Sequence, residues 1–308
     1  MGKIKTHDVI IIGGGPAGLT AGIYASRAKL KTILIEKGMA GGQIAVTEKV
    51  ENYAGFSAGA GRELIAIMEG QAREFGTEMV MGEVKAVRLS EDIKVVTTNR
   101  GEYRAPVVIL ATGSHSRKLN VPGEDEFMGR GVSFCATCDG PFYEGLPVMV
   151  VGGGDAAVEE GLALTRYAQK VYLVHRRDAL RATKIVQERA FANDKIAFIW
   201  DSVVEELVGD QQLEKALVRN VKDGQVREVD ISGIFIYIGF IPNTAFVADE
   251  VEVDEGGYII TNDVMETSVP GVYAAGDCRR KLLRQAVTAA GDGATAAFAA
   301  EKYLEGRA

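Results

Sequence analysis

Val9-Ile10-Ile11-Ile12-Gly13-Gly14-Gly15-Pro16-Ala17-Gly18 decides the fold. Four consecutive apolar residues predict a short strand. The glycines that follow have the G-x-G-x-x-G spacing, and Pro16 to Leu30 read as a helix that begins inside it. In that pattern the first glycine makes the turn, the second lets a pyrophosphate approach the backbone, and the third lets helix and strand pack closely. The helix N-terminus adds free N–H groups and a positive dipole end for the phosphates. A second strand, Thr32-Ile33-Leu34-Ile35, runs into Glu36 and Lys37, and Glu36 stands 23 residues beyond Gly13. A carboxylate there hydrogen-bonds ribose hydroxyls and repels a 2′-phosphate. A merely structural glycine turn is the weaker reading, because strand, turn, helix, strand and acid are all in place.

The same unit recurs. Pro147 to Val151 read as a strand, Gly152-Gly153-Gly154-Asp155-Ala156-Ala157 as a G-x-G-x-x-A turn, the residues to about Ala168 as a helix, and Val171 to Val174 as the second strand. In register with Glu36 stands His175, followed by Arg176 and Arg177, with Arg181 close behind. An arginine pair is by default a solvated charge run. Its register with the acid of the first copy outweighs that default, since guanidinium groups pair with a 2′-phosphate through charge-assisted, bidentate bonds. The second site is therefore expected to take NADP(H), and the first a dinucleotide without the extra phosphate.

Between the two copies lies Phe134-Cys135-Ala136-Thr137-Cys138-Asp139-Gly140. The chain has three cysteines and three scattered histidines, too few and too dispersed for a four-ligand structural zinc site. A lone C-x-x-C beside βαβ patterning reads as a redox couple, with two inert buried cysteines as the bland alternative. Asp139 places a carboxyl group where a proton can be exchanged with a departing thiolate. A nicotinamide delivers a hydride, which a disulfide does not readily accept by itself. A flavin can take it and pass two electrons on. FAD in the first site, NADPH in the second and Cys135–Cys138 as the exit make a complete circuit.

The remaining chain is read as follows. Residues 38–59 form a long loop with Gly41, Gly42, Gln43 and Asn52, a composition suited to a planar polar ligand or simply to a surface loop. Gly61 to Phe75 read as a helix, with short strands near 78–81, 84–89 and 94–98. Val107-Val108-Ile109-Leu110 open into the small residues Ala111-Thr112-Gly113, which fit a close backbone approach to a ligand. Residues 182–192 look helical and 196–240 strand-rich, and Gly239-Phe240-Ile241-Pro242-Asn243 breaks the pattern. Near the end, Gly271 to Ala275 lead into Gly276-Asp277, and a helix is expected from Arg284 to about Tyr303. That helix contains Gly291 and Gly293, tolerated where a ligand or another helix comes close.

Length and composition agree. At 308 residues, 47% hydrophobic and 25% charged, the chain has the makings of two globular domains. A net charge of −7 argues against nucleic acid or an anionic membrane surface as partner. No apolar run approaches membrane-spanning length, and the polar start lacks a signal-peptide shape. Few cysteines fit a reducing compartment, so a cytoplasmic location is expected, with no metal.

Taken together, the Gly13–Gly18 turn, Gly41-Gly42-Gln43, Val50-Glu51-Asn52, Cys135 to Gly140, the Gly152–Ala157 turn, His175-Arg176-Arg177 with Arg181, and Ala275-Gly276-Asp277 with Arg284-Gln285-Ala286 make the chain resemble the bacterial-type, low-molecular-weight thioredoxin reductases over nearly its whole length. The resemblance implies an α/β fold of two Rossmann-like dinucleotide-binding domains, the second inserted into the first. Residues 1–113 and 244–308 would form the FAD domain, and 114–243 the NADPH domain carrying the cysteines. It implies FAD contacts at Gly13, Gly15, Pro16, Ala17, Glu36, Lys37, Gly41 to Gln43, Asn52, Ala111 to Gly113, Gly276, Asp277 and Arg284 to Ala286. NADPH contacts would fall at Gly152, Gly154, Asp155, Ala156, His175 to Arg177 and Arg181. Cys138 would lie nearer the flavin, Cys135 would attack the thioredoxin disulfide, and Asp139 would be the acid–base group. A homodimer is also implied. Because the dithiol and the nicotinamide must both reach the same flavin ring, a hinge motion near 114–118 and 240–244 is expected. Ala54 and Leu283 depart from the family pattern, where proline and an aromatic residue are frequent. The rivals are a flavoprotein of the same fold fed by ferredoxin or serving another disulfide protein, and a flavin-binding sensor without turnover.

Overall fold

The computed structural model describes residues 5–47, 50–57 and 59–307, apart from the side chains of Val46, Thr137 and Cys138. The chain folds into two compact units, one built from the residues up to His115 together with those from Ile241 onward, the other from Ser116–Phe240.

The first unit is organised by a parallel sheet in the order Val272–Ala274, Val107–Leu110, Val9–Ile12, Thr32–Glu36, Glu78–Met81. Val9–Ile12 is its central strand, and all four residues are buried because both sheet faces are covered. One face packs against the helices Pro16–Arg27, Gly61–Glu74 and Ala286–Glu305. Ile10, Ile12, Ile33 and Ile35 point to the other face and join a core that includes Val96 and Tyr103 of the sheet Lys5–Thr6, Gly101–Ala105, Lys94–Thr98, Val84–Arg88. The helices Pro16–Arg27 and Ala286–Glu305 cross at Gly293, where a Cβ would come within 2.1 Å of the Ala17 carbonyl oxygen. Gly293 therefore serves helix packing, whereas Gly291 faces open space.

The second unit repeats the plan. Its parallel sheet runs Val132–Ser133, Gly233–Ile236, Pro147–Val151, Lys170–Val174, Ile196–Ile199. The helices Asp155–Leu164 and Lys184–Phe191 contribute to the core on one face. The antiparallel sheet Ser202–Gly209, Leu213–Asn220, Val226–Asp230 contributes Val204, Leu207, Leu213 and Val218 to the core on the other. The protein is thus α/β with two Rossmann-like domains, the second inserted into the first.

Several boundaries differ from the sequence reading, each for a local reason. The first helix ends at Arg27 rather than Leu30, because Lys29 takes a left-handed conformation, φ 63°. The last helix starts at Ala286, capped reciprocally by Gln285 and Thr288, which leaves Arg284 in the preceding loop. The long loop contains a 3-10 turn, Gly42–Val46. Asn243 belongs to the first unit: its backbone N–H donates to Gly113 O at 3.0 Å, its side-chain amide donates to Thr112 O at 2.9 Å, and its Oδ1 bonds His115 Nδ1 at 2.7 Å.

Candidate active site

In the first unit the glycine turn has the shape its sequence demands. Gly13 has φ +111°, and a Cβ on it would lie 2.2 Å from the Ala111 carbonyl oxygen, so this turn and the end of Val107–Leu110 touch backbone to backbone. A Cβ on Gly18 would lie 1.9 Å from Gly13 O, while Gly15 faces open space. Gly15 caps the helix without any side-chain bond, so the N–H groups of its first turn are free for an anion. Glu36 is held by two backbone donors, Gly14 N at 2.7 Å and Gly38 N at 2.9 Å, at the mouth of that turn. Gly41 N donates to Gly14 O at 2.7 Å and folds the loop over the same spot. Gln43 reaches Ser114 O at 3.4 Å and Asn52 reaches Gln285 Oε1 at 3.1 Å, which ties down three of the sequence candidates, Gln43, Asn52 and Gln285. Lys37 instead pairs with Glu83 at 3.0 Å, on the surface.

Asp277 follows Gly276 in a 3-10 turn after the edge strand. Its Oδ1 is buried without a partner, and so is Nε of Arg284, whose guanidinium stacks 4.1 Å over the Tyr258 ring. Buried polar atoms are rarely left unmade, so an orphan acceptor and an orphan donor beside an open glycine turn fit a polar ligand with hydroxyl and carbonyl groups. Burial pushes the Asp277 carboxyl above its usual range, opposed by the charges of Lys281 and Arg284. A network that the sequence reading missed lies beside it. Asp292 Oδ2 accepts from Lys281 Nζ at 2.6 Å, Arg279 at 3.4 Å and Gly276 N at 3.0 Å, all in a largely buried setting. The signal was a lone acid between two helix glycines.

These facts predict opposite effects for Asp277→Asn. The ligand-free protein should gain stability at neutral pH, because a raised carboxyl pKa means folding is favoured by protonation and disfavoured as pH rises through the folded-state value. Affinity for the bound dinucleotide should fall about ten- to a hundredfold, the cost of a hydrogen bond to a charged acceptor. Thermal unfolding of the stripped protein and a binding titration check the two signs separately.

In the second unit Gly152 has φ +148°, and a Cβ there would meet the Tyr237 carbonyl oxygen at 2.4 Å. Gly154 faces open space, and the helix it caps carries no side-chain cap, the same open anion site as in the first unit. Asp155 lies in the first turn, its Oδ1 accepting from Thr183 N at 2.7 Å, and Ala156 is half-buried next to it. His175 parts company with its arginines. It is 5% exposed, and its ring lies where a Cβ on Gly153 would come within 2.4 Å. Its Nε2 has no partner. Burial first, then Arg181, Arg177 and Arg176, push its pKa down and keep the ring neutral. Arg176, Arg177 and Arg181 are exposed, and Arg181 N donates to Gly153 O at 2.6 Å, which ties that arginine's backbone to the glycine loop. The nearby acids Asp178 and Asp201 both face Lys222, at 3.9 and 2.7 Å, and no ion pair to the three arginines is formed among the described residues.

Cys135 is disulfide-bonded and directly precedes the short helix Ala136–Asp139. Its N–H donates to Ser133 Oγ at 3.0 Å, and Asp139 N donates to Cys135 O at 3.1 Å. Cys138 lies in that helix, with its side chain outside the described part. Asp139 closes the turn, half-buried. Cys278 is a free thiol in the other unit, fully buried and donating to Leu110 O and Ala275 O, with burial pushing its pKa up.

A family model for pyridine nucleotide-disulphide oxidoreductases matches residues 7–293. The chain belongs to that family. Within this oxidoreductase family it is 49% identical over 302 residues to a thioredoxin reductase of Listeria monocytogenes, covering 98% of this chain and 95% of the relative. A thioredoxin reductase of Peptoclostridium acidaminophilum is 51% identical over 308 residues, with 98% of each chain covered. The crystal structure of Lactococcus lactis thioredoxin reductase superposes with a TM-score of 0.96 at 47% identity, covering 97% of this chain and 99% of that one.

Proposed function

We propose that the chain is an NADPH-dependent thioredoxin-disulfide reductase with FAD as its bound flavin. The observation that carries this reading is the co-occurrence, in a member of this oxidoreductase family, of two open glycine turns and a disulfide-bonded Cys135. FAD belongs to the first unit, with its diphosphate on the Gly13–Gly18 turn, a ribose on Glu36, and its polar groups on Asp277 and Arg284. NADPH belongs to the second unit, with its diphosphate on the Gly152–Ala157 turn and its 2′-phosphate on Arg176, Arg177 and Arg181. Bound flavin supplies two-electron acceptance from a hydride donor and electron delivery to a disulfide.

The remaining chemistry is done by the chain's own residues. Glu36, fixed by two N–H groups, accepts ribose hydroxyls and excludes a 2′-phosphate by charge. Cys135 attacks the thioredoxin disulfide, Cys138 completes the exchange, and Asp139 moves the proton at the thiol. The exposed arginine cluster favours NADPH over a ferredoxin supply. Motion of one unit against the other between the two half-reactions, a homodimeric assembly and a cytoplasmic location complete the proposal. Among the described residues no helix is long and apolar enough to cross a membrane.

The test is the absorption spectrum of the purified protein before and after NADPH, followed by turnover with thioredoxin. A flavin spectrum bleached by NADPH, with thioredoxin thiols formed stoichiometrically, is expected. A preparation that binds no flavin, or a flavin that NADPH reduces without any thioredoxin turnover, overturns the reading.

A further inference from the structure

The turn that carries the cysteines is held by a residue outside both motifs. Tyr237 directly follows the strand Gly233–Ile236, and its phenol oxygen accepts the backbone N–H of Ala136 at 3.0 Å. Ala136 is the residue directly after Cys135 and is 2% exposed, so this N–H has no access to water in place of the phenol. The same tyrosine's carbonyl oxygen backs the Gly152 turn, and its N–H donates to Val151 O at 2.8 Å. One residue thus links the two within the second unit, its backbone against the nucleotide loop and its hydroxyl against the cysteine turn. Burial, with Glu160 and Asp139 nearby, pushes the phenol pKa up, so the hydroxyl stays protonated and permanent. Ser133 Oγ accepts the preceding N–H, of Cys135, so two hydroxyl groups in succession fix the start of the turn.

We propose that Tyr237 is a positioning residue that sets the thiol–disulfide equilibrium of the Cys135 couple by satisfying the Ala136 N–H in the disulfide form. Without the hydroxyl, a buried donor is left unmade while the S–S bond holds the turn in place. In the dithiol form the turn is released and can relax, or a sulfur can accept the N–H. Loss of the hydroxyl therefore favours the dithiol. The couple is balanced as one disulfide taking two electrons and two protons from two glutathione thiols, which leave as glutathione disulfide. The physiological meaning of this bias rests on the proposed function, but the equilibrium itself does not.

The experiment uses the FAD-loaded full chain, with Tyr237→Phe and, as a control, Tyr172→Phe, which removes a half-buried phenol on the opposite core cluster. Each is equilibrated in glutathione buffers, and thiols are counted by alkylation and mass. Tyr237→Phe is expected to shift the equilibrium about tenfold toward the dithiol, about 30 mV for a two-electron couple. Tyr172→Phe and the bleaching of the flavin by NADPH should be unchanged. A Tyr237→Phe equilibrium within twofold of the parent overturns the proposal, whether or not thermal stability falls. Failure of thioredoxin turnover in the parent protein would instead strike at the proposed function and leave this measurement readable.

Discussion

Cys135→Ser is expected to lower turnover with thioredoxin by at least about a thousandfold, while NADPH still bleaches the flavin. The size follows from chemistry that admits no substitute: a serine hydroxyl neither forms the mixed disulfide nor leaves from it, and removal of a covalent nucleophile typically costs three or more powers of ten. Cys138, left alone, has no second sulfur with which to resolve a mixed disulfide, and Cys278 cannot take over. Cys278 is fully buried in the other unit, its thiol donates to two carbonyl groups, and burial holds it protonated. Serine removes the disulfide, but the fold should survive, since the hydrogen bonds of the Cys135 backbone to Ser133 and Asp139 persist. Stopped-flow absorbance for the flavin and a thioredoxin-coupled thiol assay separate the two halves of the reaction. Residual turnover above about one per cent of the parent would place the exit route elsewhere.

What could be read in advance was whatever short-range sterics dictate. Gly13 and Gly152 need positive φ beside a neighbouring carbonyl, and such a requirement leaves a fixed spacing in the chain. The buried parallel strands are continuous apolar runs for the same kind of reason: both faces are covered, so no polar alternation survives. The parts that escaped depend on neighbours distant in sequence. Asp292 gained its meaning only when its helix met the Gly276 turn and the Arg279–Lys281 loop. Tyr237 lies in an apolar run with nothing local to mark it, and only the fold sets its hydroxyl against the Ala136 N–H. Adjacency groups His175 with Arg176 and Arg177, but the strand ends at Val174, and just beyond it the His175 ring turns under Gly153 while both arginines stay exposed. Arg284 was assigned to a helix because no propensity distinguishes it from its neighbours. The Gln285–Thr288 cap starts the helix two residues later, at Ala286, and frees the guanidinium to stack on Tyr258.

The double variant Arg176→Ala, Arg177→Ala is expected to cut kcat/KM for NADPH about a hundred- to a thousandfold and to change that for NADH by no more than about threefold. Two charge-assisted bonds to a phosphate are worth about 1.5–3 kcal/mol each when shielded, and both arginines are exposed, so the lower end applies. About 3–4 kcal/mol in total corresponds to that range of rates. The arginines are ready for a new partner because no carboxylate competes: among the described residues Asp178 and Asp201 face Lys222 instead. His175 should not compensate, since its buried ring is kept neutral. Because the contact is ionic and open to solvent, raising the salt concentration should erode NADPH preference in the parent and leave the double variant almost unaffected. Equal losses for the two nucleotides would mean that the arginines shape the loop rather than read the 2′-phosphate. The preference would then have to come from Arg181, whose backbone is already tied to Gly153 of the same loop.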